Sequence, residues 1–289
     1  MDETKSAGIP RRILAVLAHP DDETFGMGGT LAMYAHRGVE VYLICATRGE
    51  VGEVDPKLLE GFASIGDRRE HELRCAAEWL GLKDVIMLGY RDSGMPGSPD
   101  NQHPQALAFQ TLEKVAGDVT HYIRLLRPQV VLTFDPIGGY RHPDHIAIQK
   151  ATERAFYAAG NPAEYAGDLP PYRPQKLYFH TIPRGMIRAG VFILRLVGKD
   201  PTKFGKNGDI DIASIASVNF PTNARIDYRQ VAADRDRASA CHESQGGGNM
   251  NRGVMGWLRR TFGSADIFTQ AYPAPANGHV ARDLFEGVS

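Results

Sequence analysis

Two short stretches carry more metal-ligating and acid–base side chains than structure alone needs: Ala18-His19-Pro20-Asp21-Asp22-Glu23 and Tyr140-Arg141-His142-Pro143-Asp144-His145. In each, a histidine precedes proline, which biases that histidine towards extended backbone and starts a helix just beyond it. A catalytic zinc needs three protein ligands and an open position for water. His19, Asp22 and His145 supply two nitrogens and one oxygen. That leaves Asp21, His142 and Asp144 free for proton work. Bound zinc lowers the pKa of its water to roughly 7, so a nearby carboxylate can take the proton at neutral pH. Asp21 is the expected base. His142, as an imidazolium, is expected to stabilise a tetrahedral oxyanion or to protonate a leaving amine, and Asp144 to orient an imidazole. A plainer account also fits the first cluster: Asp21, Asp22 and Glu23 cap a helix and complement its dipole. It does not account for a matching cluster more than a hundred residues away.

The elements that must bring the two clusters together are readable as an alternation. Arg12–Ala18 is a nearly continuous apolar run, the mark of a strand covered on both faces. Further strands are expected at 39–46, 85–88, 130–134 and 176–181. Helices are expected at 28–37, 67–80, 107–126 and 144–158, with Gly38 and Gly81 in C-cap positions. Such an order implies a doubly wound, mostly parallel α/β sheet of Rossmann-like type. With strand order 3-2-1-4-5, strands one and four are neighbours, and both clusters lie at the carboxyl ends flanking the topological switch point. One domain is expected, with a Rossmann-like core over about 1–183. The extension over about 184–289 is expected to shape the substrate pocket and to contain a helix near 228–242.

Composition narrows the partners. The chain has 289 residues and a formal net charge of -1, so nothing favours nucleic acid or an anionic membrane. Residues 1–12 are polar and lack the apolar stretch of a secretory signal. The apolar stretch at 185–198 is interrupted by Arg188 and Arg195 and is too short to span a bilayer. A packed helix or a cover over the site is expected there, and membrane contact is not. Cys45, Cys75 and Cys241 are scattered, which predicts reduced thiols and a cytoplasmic location without a disulfide framework.

These motifs resemble the LmbE-like, or PIG-L, family of zinc-dependent N-acetylglucosamine deacetylases, on Ala-His-Pro-Asp-Asp-Glu at 18–23, Gly26-Met-Gly-Gly-Thr30 and His-Pro-Asp-His at 142–145. The resemblance implies zinc on His19, Asp22 and His145, Asp21 as general base, and His142 assisting the oxyanion or leaving group. Arg69 and Glu72 look like the family's Arg-x-x-Glu helix, whose arginine contacts substrate. Tyr90-Arg-Asp-Ser-Gly-Met95 is similar to the mycothiol branch, which implies Asp92 on sugar hydroxyls and Tyr140 near the substrate carbonyl. His242-Glu-Ser-Gln245 resembles the family's His-x-Ser-Gln signature and implies His242 at the substrate. The implied partner is a small N-acetylated amino sugar, such as a glucosaminyl-inositol, with a conjugate amidase on a larger acyl group as the alternative. The segment 184–212 matches nothing in the family pattern.

Each secondary match has a bland counterpart. Arg69 and Glu72 make a solvated i,i+3 pair, Asp92-Ser-Gly makes a turn, and His242 ends a helix against its dipole. Gly26, Gly28 and Gly29 sit where a phosphate loop would, but Leu31 breaks the G-x-G-x-x-G pattern, so they are expected to permit close packing. Two rivals share the ligand types or the fold: a non-haem Fe(II) oxygenase and a nucleotide-binding module without catalysis. The surplus acid at Asp21 favours hydrolysis over the oxygenase.

Overall fold

The computed structural model describes residues 10–182, 184–203, 208, 210–250 and 264–289, so the polar stretch at 1–9 lies outside the described residues. Strand β1 (Arg12–Leu17) leads into helix α1 (Asp22–His36), and β2 (Glu40–Thr47) precedes α2 (Ile65–Leu80) and β3 (Asp84–Tyr90). Helix α3 (Leu112–Leu126), β4 (Val130–Phe134), a short turn of helix α4 (Gly138–Arg141), α5 (Pro143–Ala158) and β5 (Lys176–Thr181) follow. The rest of the chain adds α6 (Arg184–Leu196), α7 (Ile212–Ser217), β6 (Ala224–Asp227), α8 (Ala232–Cys241), α9 (Gly247–Met250) and β7 (Ala265–Tyr272).

The seven strands among the described residues form one sheet in the order β3-β2-β1-β4-β5-β7-β6. Strands β1 to β5 run parallel, with Ile13 beside Val130 where β1 meets β4, while β7 pairs antiparallel with both β5 and β6. The central strands read as apolar runs because helices cover both faces: Ile13–Leu17 and all of β4 are buried. Local chemistry sets the helix ends. The Ser64 hydroxyl accepts the Asp67 N–H at the start of α2, and Gly81 closes that helix at φ 68°. Pro143 opens α5, where the missing N–H costs nothing. Gly29 lets α1 lie against the Tyr228 ring, since a Cβ there would sit 2.2 Å from ring carbons.

Several expectations are corrected. Helix α1 begins at Asp22 rather than Gly28, with a kink at Met27 (φ -132°), so Asp22 and Glu23 of the motif fall in its first turn while His19 and Asp21 precede it. The expected helix from Leu107 is a 3-10 turn, Leu107–Phe109, separated from α3 by the Thr111 cap. The extension does more than pack on the sheet, since it supplies β6 and β7. Cys75 and Cys241 form a disulfide that joins α2 to the end of α8, against the expectation of reduced thiols, and Cys45 is free and buried. Among the described residues, no helix is long and apolar enough to cross a membrane.

Candidate active site

Because β1 and β4 are neighbours, the segments leaving their carboxyl ends meet. His19 Nδ1 lies 3.2 Å from His145 Nε2. The Asp22 carboxylate lies 3.5 Å from His19 Nδ1 and 3.3 Å from His145 Nε2. Ligands bound tetrahedrally at about 2.0–2.1 Å stand about 3.3–3.4 Å from one another. The three side chains stand at separations close to those of a zinc-sized site, with Asp22 turning a different oxygen to each histidine, and the donor set fits such an ion. His142 also brings a ring nitrogen within 4.8 Å of those of His19 and His145, and the same holds for His142, Asp92 and Asp144 around His19.

The surroundings fix each ring. His19 Nε2 donates to Asp144 Oδ2 at 3.1 Å and lies 3.6 Å from Asp92 Oδ1, which leaves Nδ1 with its lone pair inward. Asp144 therefore orients His19. It is fully buried and also accepts from the Ser93 N–H at 2.9 Å and from the Ser93 hydroxyl. The His145 ring stacks on Phe134 at 3.9 Å with Tyr140 edge-on at 4.9 Å, and its buried Nδ1 has no hydrogen-bond partner among the described residues. His142 caps α5: its Nδ1 accepts the Asp144 N–H at 3.2 Å, which places the proton of the neutral ring on Nε2. Tyr140 is half-buried, and its hydroxyl forms no hydrogen bond among the described residues.

Charge follows from this packing. Burial works against a charged His19, but Asp144, Asp22 and Asp92 outweigh it and hold its pKa well above 6.5. Burial likewise opposes ionisation of Asp22, and His145 and His19 more than compensate. Three carboxylates around two imidazoles in a buried cluster call for positive charge, which a proton or a divalent cation can supply. Burial, with His19 and His145 close by, pushes His142 down to about 2, so the expected imidazolium gives way to a neutral N–H donor.

Asp21 stands apart from its neighbours. Its φ is 118°, a left-handed value that costs a side-chain-bearing residue of order 1–3 kcal/mol and is characteristic of functional sites. Its side chain is 17% exposed and accepts from Arg69 Nη2 at 3.1 Å. Burial raises its pKa to about 6, with Arg69 pulling down and Asp22 pushing up, which suits a base near neutrality. Arg69 also donates to the carbonyls of Gly49 (2.9 Å) and Pro20 (2.8 Å). Gly49, at φ 64°, is needed beneath it, because a Cβ would meet the guanidinium at 2.1 Å. The solvated Arg69–Glu72 pair does not form: Glu72 is buried and accepts from Arg68 (2.8 Å) and from the Ser244 N–H and hydroxyl (2.9 and 2.6 Å).

Asp92 is both a turn residue and a site residue: Oδ1 accepts the Gly94 N–H at 2.8 Å, and Oδ2 the Val51 N–H at 3.4 Å. His242 is fully buried and bonds through Nε2 to Glu23 Oε1 at 2.7 Å. Reasoning from residue types missed Ser93, which lies inside the quoted Asp92-Ser-Gly segment. It also missed Asp135, whose Oδ1 accepts the Ile137 and Gly139 N–H groups (3.1 and 2.9 Å) and shapes the loop carrying Tyr140. An acidic residue directly after a buried strand was the available signal for Asp135.

Residues 14–156 match the family described as PIG-L, GlcNAc-PI de-N-acetylase. A 1D-myo-inositol 2-acetamido-2-deoxy-alpha-D-glucopyranoside deacetylase of Geodermatophilus obscurus is 39% identical over 245 residues, 81% of this chain and 83% of that protein. The N,N'-diacetylchitobiose deacetylase of Pyrococcus horikoshii superposes with a TM-score of 0.62 at 21% identity, covering 90% of this chain and 83% of that one. GalB of Pseudomonas putida, a 4-carboxy-2-hydroxymuconate hydratase, superposes at 0.59 with 18% identity over 93% and 99% of the two chains. The last two show the shared fold, and their different reactions show that the fold by itself does not choose the chemistry.

Proposed function

Since this chain belongs to the PIG-L family and is a hydrolase of N-acetyl amide bonds, we propose that it deacetylates a 2-acetamido-2-deoxyglucose carried on inositol, with zinc on His19, Asp22 and His145. The observation that carries the reading is the mutual spacing of those three side chains beside an unliganded acid. A larger acyl group on the same sugar, as in a conjugate amidase, uses the same machinery. The whole chain is proposed to work as one domain, with the extension from about 184 shaping the pocket.

When bound, the cation supplies Lewis acidity towards the amide carbonyl and makes water acidic enough to attack near neutral pH. Asp21, aimed by its unusual backbone and steadied by Arg69, accepts the proton of the attacking water. His142 offers its Nε2–H to the oxyanion that develops as the carbonyl carbon becomes tetrahedral. Asp21 returns the proton to the amine nitrogen as the C–N bond breaks, so water and amide become acetic acid and free amine, which exchange a proton to leave acetate and ammonium. Tyr140 supplies a hydroxyl near the carbonyl, while Asp92 and Arg69 frame the sugar with His242 behind them. Asp144 keeps the His19 lone pair directed inward.

The test is acetate release from a panel of N-acetylglucosamine, its inositol glycoside and N,N'-diacetylchitobiose, run with Asp21→Ala beside the native chain. Highest turnover on the inositol glycoside is expected, with Asp21→Ala keeping its metal and losing nearly all activity. No release from any of the three refutes the deacetylase reading, and near-native turnover by Asp21→Ala removes Asp21 as the base.

A further inference from the structure

The Pro20–Asp21 peptide is gripped at both of its polar ends. Its carbonyl accepts from Arg69 Nη2 at 2.8 Å, and its N–H donates to Glu23 Oε2 at 3.0 Å. A peptide plane held at both ends cannot rotate freely, and its rotation would change the φ of Asp21. Strained backbone of this kind persists only where the surroundings over-determine it. Glu23 is therefore placed to do more than complement a helix dipole.

Glu23 is itself held from the far end of the chain. It is completely buried, and its other oxygen accepts from the Thr24 hydroxyl at 2.5 Å and from His242 Nε2 at 2.7 Å. A buried carboxyl group is costly unless its oxygens are paired, and His242 supplies that partner for Glu23. His242 is presented by a segment fastened to α2 at three places: the Cys75–Cys241 disulfide, the Ser244 bonds to Glu72, and the Arg68–Glu243 ion pair at 3.0 Å. We propose that Glu23, held by His242, is a positioning residue that locks the strained peptide aiming Asp21 at the reacting water. The C-terminal part of the chain thereby reaches the base without touching the substrate. This inference rests on the reading of Asp21 as the base.

The experiment compares kcat, KM and bound metal for Glu23→Ala, Glu23→Gln, His242→Asn and Asp21→Asn on the inositol glycoside. Misplacing a catalytic group by about 1 Å costs about 10²-fold in rate, so Glu23→Ala is expected to lose about that much in kcat with KM and metal content unchanged. Glu23→Gln is expected to recover most of the loss, because its amide oxygen still accepts the Asp21 N–H while the NH2 faces His242 in its other tautomer. His242→Asn is expected to lower kcat about tenfold at constant KM. A folded Glu23→Ala with kcat within about threefold of native overturns the proposal. So does a loss that appears in KM or in metal content. If Glu23→Ala does not fold, Glu23→Gln and His242→Asn decide: a raised KM with intact kcat in His242→Asn makes His242 a substrate contact and ends the positioning role. Retained turnover in Asp21→Asn overturns the base reading and the inference together. An inactive Asp21→Asn beside a native-like Glu23→Ala overturns the inference alone.

Discussion

Replacing Asp144 by Asn tests the metal site through a residue that is not itself a proposed ligand. The change keeps the shape: the amide oxygen can take the place of Oδ2, which accepts from His19 Nε2 and the Ser93 N–H, while the NH2 meets the Ser93 hydroxyl. What it removes is a negative charge on the far side of the His19 ring. That charge lies about 6 Å from the ligand centre, where unit charges interact by about 332/(20 × 6), or about 3 kcal/mol, at an effective dielectric constant of 20. With Asp22 already cancelling one charge of a divalent ion, the worked loss is about 10²-fold in zinc affinity, at the upper end of what a carboxylate behind a ligating histidine supplies. Competition of the metal-stripped protein against a chromogenic chelator measures the change in Kd. Ser93→Ala is the control: it removes the hydroxyl bond and keeps the charge, so it is expected to cost less than about tenfold. A zinc Kd for Asp144→Asn within about twofold of native, in a normally folded protein, refutes the argument.

Two further outcomes test the packing around the site. Asp266 accepts the Thr30 N–H and hydroxyl at 2.9 and 2.7 Å, and burial lifts its carboxyl from 3.8 to about 6. A raised carboxyl favours the folded state only while protonated, so stability present below about 3.8 falls as pH climbs through 6, by about 3 kcal/mol in all. Asp266→Asn, which carries no charge at any pH, is expected to be more stable than native by up to about 3 kcal/mol at pH 7.5 and nearly equal at pH 4; urea unfolding at both values checks this, and a pH-independent difference contradicts it. The Cys75–Cys241 bond spans 166 residues of chain, so reduction or Cys75→Ser is expected to lower unfolding stability by about 2–5 kcal/mol, measured by denaturation with and without reductant. Equal curves would show that the pair contributes nothing to the folded state.

What the chain discloses in advance depends on how local the cause is. Strands β1 and β4 are legible because burial on both faces demands unbroken apolar runs, and Ser64, Gly81 and Pro143 mark helix ends by chemistry confined to one turn. Strand β6 has only four residues, buried and exposed in alternation, and β7 has a single buried residue at Phe268, so neither carries a run long enough to announce itself. The disulfide is illegible for another reason: its partners meet only once α8 lies on α2, and scattered thiols look alike whether bonded or free. The site divides along the same line. The meeting of the two motifs was readable because each sits at the end of its own strand, but the pairings between motifs were not. Asp144 serves His19 across the crevice while its own N–H is capped by His142 two residues earlier. Arg69 turns from its helical neighbour Glu72 to Asp21, and Glu72 turns to Ser244. For Arg69 the buried partner won over the helical neighbour, because desolvation leaves an unpaired charge no inexpensive alternative, whereas Glu72 keeps Arg68 one turn away and adds the distant Ser244. Residue types at strand ends can therefore name the chemistry, whereas the assignment of each acid to its imidazole or guanidinium is a property of the closed fold.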